Sequence, residues 1–248
     1  MFGIGMTLLA GISILIGTFI VFLLKNNQKL TNFSISMATG VMITLLLFEI
    51  IPEALSLLSE TFPFLTNIII VIMLSLIGIF LLKILDLFIP DHDHEEHVSN
   101  ENLFHIGMVS SIALILHNLI EGMAIYSTAM TNHNLGLLLA IGISLHNIPL
   151  GIMITSTLYK FNNNKKKTLL IMLPIVLSTM VGGILMFLLS GVINDVIRGI
   201  LLSITVGMII YIVFFELIPE IKTIKNKKIT ILGLLSGIAI FLLTLFFE

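Results

Sequence analysis

The sequence predicts an all-α integral membrane protein with eight transmembrane helices, and three observations carry that expectation. Of its 248 residues, 57% are hydrophobic and only 10% are charged, against about 25% in soluble domains. Divided wherever charges, Asn or Pro cluster, the chain leaves eight apolar stretches, at about 3–24, 33–58, 67–88, 105–130, 135–159, 168–193, 196–221 and 229–247. Each has 19 to 26 residues, enough to cross roughly 30 Å of hydrocarbon as a helix. They carry almost no polar face, which a soluble bundle with an unusually apolar core would need.

The third observation is where the charges fall. With the N-terminus outside, all eleven lysines lie on cytoplasmic segments and only Arg198 lies outside. That positive-inside pattern places both termini on the extracytoplasmic face. Residues 1–24 lack a basic start and run too long for the core of a cleaved signal, so they read as the first span. The chain contains no cysteine, which excludes thiolate ligation and disulfides. The expected organisation is one polytopic domain, 1–248, with a cytoplasmic loop at 91–104. Its partners are the bilayer and small cations, with no nucleic acid.

Two near-identical strings mark a repeat. The second span holds FEIIPE, Phe48 to Glu53, and the seventh holds FELIPE, Phe215 to Glu220. Five helices separate them, so the copies cross the membrane in opposite directions. Spans one to three therefore pair with six to eight around a central pair, a 3+2+3 inverted repeat. Such repeats, with binding groups near the midplane, point to secondary transport.

The central pair carries HNLIEG, His117 to Gly122, and HNIPLG, His146 to Gly151, 29 residues apart. At a rise of about 1.5 Å per residue, His117 lies about 18 Å into the fourth span and His146 about 17 Å into the fifth. Ionisable groups at that depth cost roughly 2.5–3.5 kcal/mol each on insertion scales and usually line a pathway or bind something. His117 and Glu121 are four residues apart and share a helix face; Asn118 is turned about 100° away, and His146 and Asn147 add an imidazole and a carboxamide. No Lys or Arg sits at this depth to balance Glu121, so the carboxyl group is either protonated or neutralised by a bound cation. The expected metal ligands are His117, Asn118, Glu121, His146 and Asn147, a nitrogen and oxygen set suited to zinc, iron(II), cobalt or manganese. Pro149 removes a backbone donor and can free the Leu145 carbonyl, and Gly122 and Gly151 allow close helix packing.

Glu49 and Glu53 lie towards the outer end of the second span, and Glu216 and Glu220 towards the inner end of the seventh. Each pair is placed to attract a cation and strip part of its water at one mouth of a pathway, with Pro52 and Pro219 opening the helices locally. The alternative for Glu53 and Glu220 is an ordinary helix-end carboxylate. In the loop, His92, His94 and His97 lie among four acids, a composition suited to weak capture of a divalent metal or simply to a solvated acidic loop.

These motifs resemble those of the ZIP family of divalent metal transporters, most closely its prokaryotic ZupT-like branch, and the resemblance covers the whole chain. It implies inward movement of Zn²⁺, with Fe²⁺, Mn²⁺, Co²⁺ or Cd²⁺ as further substrates, through a central and often binuclear site. It also implies that spans one, four, five and six move as a bundle against two, three, seven and eight, and that the protein forms a homodimer. Three departures stand out. Leu150 replaces a metal-binding Glu of the fifth-span motif, and aligning Val181 to Gly183 with the sixth-span pattern puts Thr179 where another Glu is usual; Ile120 also replaces a Pro. Glu121 is then the one remaining central acid, and a mononuclear site follows.

The function expected is uptake of divalent metal by alternating access around the midplane site. The alternative is a member that no longer transports and instead senses or binds metal, for which Leu150 and Thr179 argue. No HExxH string and no nucleophile with a base at bonding distance in sequence stands out, so catalysis is not expected.

Overall fold

A computed structural model describes residues 2–24, 28–87 and 100–245. Eight helices long and apolar enough to cross a membrane make up the described residues: α1 Phe2–Leu23, α2 Gln28–Ser59, α3 Phe64–Asp86, α4 Asn100–Thr131, α5 His133–Asn162, α6 Lys165–Leu188, α7 Asp195–Thr223 and α8 Lys227–Thr244. No strand occurs among them. The loop histidines His92, His94 and His97 lie outside the described residues.

The asparagines that divide the sequence are the helix caps. Asn132, Asn164, Asn194 and Asn226 each accept backbone N–H bonds from the first turn of the helix that follows, starting α5, α6, α7 and α8. Asn163 ends α5 in the left-handed region at φ 45°, a conformation that Asn tolerates better than most residues. The helices begin and end up to five residues from the predicted limits, as in α4, which starts at Asn100 rather than near His105, and α2, which starts at Gln28 rather than near Phe33.

α2 and α7 share one irregularity. Each contains a widened turn, Leu46–Ile50 and Ile212–Leu217, closed by a five-residue hydrogen bond from Ile51 N–H to the Leu46 carbonyl and from Ile218 N–H to the Val213 carbonyl. The next residues are Pro52 and Pro219. A proline donates no N–H and crowds the carbonyl four residues back, so the helix relaxes in the preceding turn.

Glycines fix the closest helix pairs. A methyl group at Gly17 would lie 2.4 Å from the Ile148 carbonyl oxygen, and one at Gly151 2.3 Å from that of Ile14, so α1 and α5 touch backbone to backbone. Gly122 and Gly182 do the same for α4 and α6, Gly40 and Gly237 for α2 and α8, and Gly78 and Gly207 for α3 and α7. Gly122 and Gly151 thus seat their helices on α6 and α1 and not on each other; α4 and α5 meet instead at Gly136, against Ala129, and at Gly107, against Leu158. With lipid as apolar as the side chains, this close contact is what holds membrane helices together. Buried hydroxyls add cross-links, Thr18 to Thr155 at 2.9 Å and Ser34 to Ser156 at 2.7 Å. α4 is the most enclosed helix, whereas α3 and α8 present mostly exposed apolar faces of the kind lipid covers.

Candidate metal centre

His117 and Glu121 stack one turn apart on α4, and α5 brings His146 in from the side. One carboxylate oxygen, Glu121 Oε1, lies 2.8 Å from His117 Nε2 and 2.9 Å from His146 Nε2. All three residues are buried, with His146 fully enclosed, and the ring centroids are 6.3 Å apart. The three ligand atoms lie within 4.8 Å of one another. Glu121 Oε2 and both Nδ1 atoms are buried and have no hydrogen-bond partner among the described residues, a rare condition for interior polar atoms.

The spacing has a chemical meaning. Two nitrogens or oxygens on a tetrahedral zinc at about 2.0–2.1 Å stand about 3.3 Å apart, so the observed 2.8 and 2.9 Å are closer than metal-bridged ligands; the His146 contact is a hydrogen bond, whereas His117 Nε2 lacks hydrogen-bonding geometry. A zinc ion among the three ligands would spread them by about half an ångström. Each imidazole must then shed its Nε2 proton or carry it on Nδ1.

Asn118 and Asn147 are placed differently. The Asn118 amide donates to the Ile175 carbonyl of α6 at 3.2 Å, and that of Asn147 to the Ala10 carbonyl of α1 at 3.5 Å. Both therefore tie the central helices to their glycine-paired neighbours, while each Oδ1 is buried without a partner among the described residues. Thr179 is also buried, its hydroxyl likewise unpartnered among them.

Two unlike spaces meet the cluster. Towards the C-terminal end of α4, a cavity of about 210 Å³ is lined by Glu49, Glu53, His117, Glu121, Thr128 and Arg198 together with apolar side chains. Towards the other end the chain is closed: a void of only about 10 Å³ separates His117 from Leu150, Met42, Leu45, Leu114, Ile209 and Ile212. Leu150, at 1% exposure, is thus part of an apolar plug beside His117.

A second cluster lies at the far end of α4, and sequence reasoning found only one member of it. His105 Nε2 is 2.5 Å from Asp86 Oδ1 and 3.7 Å from Glu216 Oε1, and the Tyr211 hydroxyl donates to Asp86 Oδ2 at 2.7 Å. Glu216 was expected near that face; Asp86 and His105, at the two ends of the loop-bearing segment, share its depth and could have been found by the same helix arithmetic. Glu220 is buried near this end but outside the cluster.

The sequence profile of the family described as ZIP Zinc transporter matches residues 88–245. Among curated relatives, a zinc transporter ZupT of Chlorobaculum parvum is 29% identical over 99% of this chain and 97% of its own length. The zinc transporter ZupT of Streptococcus mutans is 30% identical over 97% of this chain and 95% of its own, and that of Clostridium perfringens 29% over 97% and 93%. These relatives are named as transporters, not enzymes. Profile and relatives together show that this chain, a multi-pass membrane protein, belongs to the ZIP family.

Proposed function

We propose that this protein carries divalent metal, zinc before iron, manganese, cobalt or cadmium, into the cell by alternating access around a mononuclear site of His117, Glu121 and His146. The observation that carries the reading is the single Glu121 oxygen shared by two buried imidazoles, with Glu121 and His117 in the wall of an acid-lined cavity. Glu49 and Glu53 receive the ion from outside, and Asp86, His105 and Glu216 receive it on the cytoplasmic side, with Glu220 beside them and the 91–104 loop histidines beyond. Asn118 and Asn147 contribute their free amide oxygens as the ligands spread.

The glycine pairs support the 3+2+3 inverted repeat. Exchanging one with six, two with seven, three with eight and four with five turns the α1–α5 contact into α6–α4, and α2–α8 into α7–α3. None of these pairs crosses between α1, α4, α5, α6 and α2, α3, α7, α8, which supports reading the two sets as the bodies whose relative movement would carry the site from one face to the other. With the positive-inside pattern, the cavity then faces outside and the Leu150 plug faces the cytoplasm. The chain acts as one polytopic unit, and a homodimer belongs to the same reading.

Radioactive zinc uptake into proteoliposomes, beside Glu121→Ala and with iron, manganese and cadmium as competitors, tests it. Saturable uptake lost in the variant is expected. Binding without flux would instead identify a sensor, with Leu150 and Thr179 as the changes that ended transport.

A further inference from the structure

The chain contains a single arginine, and it stands in the wall of the acid-lined cavity. Arg198 Nη2 lies 3.8 Å from Glu53 Oε1, and Nη1 lies 2.9 Å from Asp195 Oδ1. Its side chain is only 14% exposed, and Nε is buried without a partner among the described residues. A positive charge in the first turn of α7 is opposed by the helix dipole, and one lining a cation's path is opposed by the cargo, so neither explains its presence. The backbone nevertheless holds it there: a methyl group at the neighbouring Gly199 would meet the Leu58 side chain at 2.8 Å, which fixes the start of α7 against the end of α2, where Glu53 sits.

Resting on the transport reading, we propose that Arg198 is a tethered counter-cation that occupies Glu53 until a dication displaces it, and so determines which cations the cavity admits. A guanidinium is always charged and weakly hydrated, so it neutralises a carboxylate without the dehydration a free ion requires. A monovalent cation approaching Glu53 meets a carboxylate already paired and gains nothing by exchange, whereas a divalent ion doubles the attraction. The 3.8 Å separation is that of a loose, partly solvated pair, which is weak and easily exchanged. Asp195, 60% exposed and already bonded to Nη1 at 2.9 Å, holds the guanidinium when Glu53 is taken by the ion.

The test compares zinc uptake by wild-type protein, Arg198→Gln and Arg198→Lys in proteoliposomes at low and high ionic strength. Arg198→Gln is expected to lower KM for zinc about three- to tenfold at ~10 mM salt, with the difference gone near ~0.5 M. The same variant should become inhibitable by sodium and potassium, while Arg198→Lys stays near wild type. An unchanged or higher KM in Arg198→Gln, or an Arg198→Lys variant that behaves like it, overturns the proposal. Should Arg198→Gln fail to fold, Asp195→Asn, which hands the guanidinium wholly to Glu53, is expected to raise KM; no change there overturns it equally. Absence of uptake by wild type would defeat the transport reading alone. Zinc binding to the detergent-solubilised protein then decides the matter, since Arg198→Gln must still tighten it by a similar factor, and equal affinities would refute the role.

Discussion

Glu121 reaches from α4 to within 2.9 Å of His146 on α5 with the same oxygen it presents to His117 on its own helix. That oxygen is the one charge common to both helices. Glu121→Gln keeps the volume and removes the charge, leaving two imidazoles facing an amide. Zinc affinity is expected to fall at least about 100-fold, since a lost ligand costs no less than the 10–100-fold of an outer partner, and uptake should fall with it. Calorimetric zinc titration of the purified variant checks this, with an unchanged melting temperature showing that the fold is kept.

Leu150 fills the apolar plug beside His117. Leu150→Glu adds a second carboxylate at the position where the resemblance to ZIP transporters implies one. It is expected to bind zinc about tenfold more tightly and to slow turnover, because the added charge both neutralises the ion and wets the closed side of the site. A fall in both Kd and kcat in paired binding and flux measurements would show it; a rise in either would not fit.

The cluster of Asp86, His105 and Glu216 is proposed to receive ions after the central site, so damage there should slow release without altering capture. Glu216→Gln is expected to reduce kcat several-fold and leave KM nearly constant. Tyr211→Phe removes one hydrogen bond to Asp86, worth about 1 kcal/mol, and should give a smaller change of the same kind. Uptake kinetics over a range of zinc concentrations separates the two parameters.

The Gly122 and Gly182 contacts are tighter than any side chain allows, at 1.9 Å from the Thr179 and Leu119 carbonyl oxygens for an added methyl group. Alanine at either position is expected to destabilise by about 1–3 kcal/mol and lower the melting temperature in detergent by about 5 °C. Gly5 has nothing within 4 Å, so Gly5→Ala should leave the melting temperature level or slightly raised. Equal effects at all three sites would mean that helix propensity and not packing is being measured.

Much of the architecture was legible because its signals are local. Asn132, Asn164, Asn194 and Asn226 divide the sequence where they cap the helices, and the rise per residue brings His117 and His146 to one depth before any packing is known. Three-dimensional neighbours were harder. Depth alone says nothing of azimuth, so Asp86 and His105 were passed over although their level matched Glu216. Asn118 and Asn147 read as ligands, yet their amides bond to α6 and α1, helices whose proximity only the fold reveals. Arg198 read as a topology marker because its cavity is assembled from four helices, α2, α4, α5 and α7.

The unbraced imidazoles have a kinetic consequence. Zinc sites built to last clamp the far nitrogen of each ligating histidine, and loss of that clamp weakens holding about 10–100-fold. Here neither His117 Nδ1 nor His146 Nδ1 finds an acceptor among the described residues. An ion that arrives at about 10⁷ M⁻¹s⁻¹ and must depart about ten times a second cannot be held more tightly than about 10⁻⁶ M. A fully clamped site, with a binding free energy of about 10–16 kcal/mol, would keep its ion for far longer than one cycle. On the transport reading, the unclamped rings suit a berth where a passenger stops briefly, and adding an acceptor to either one would turn the berth into a dead end.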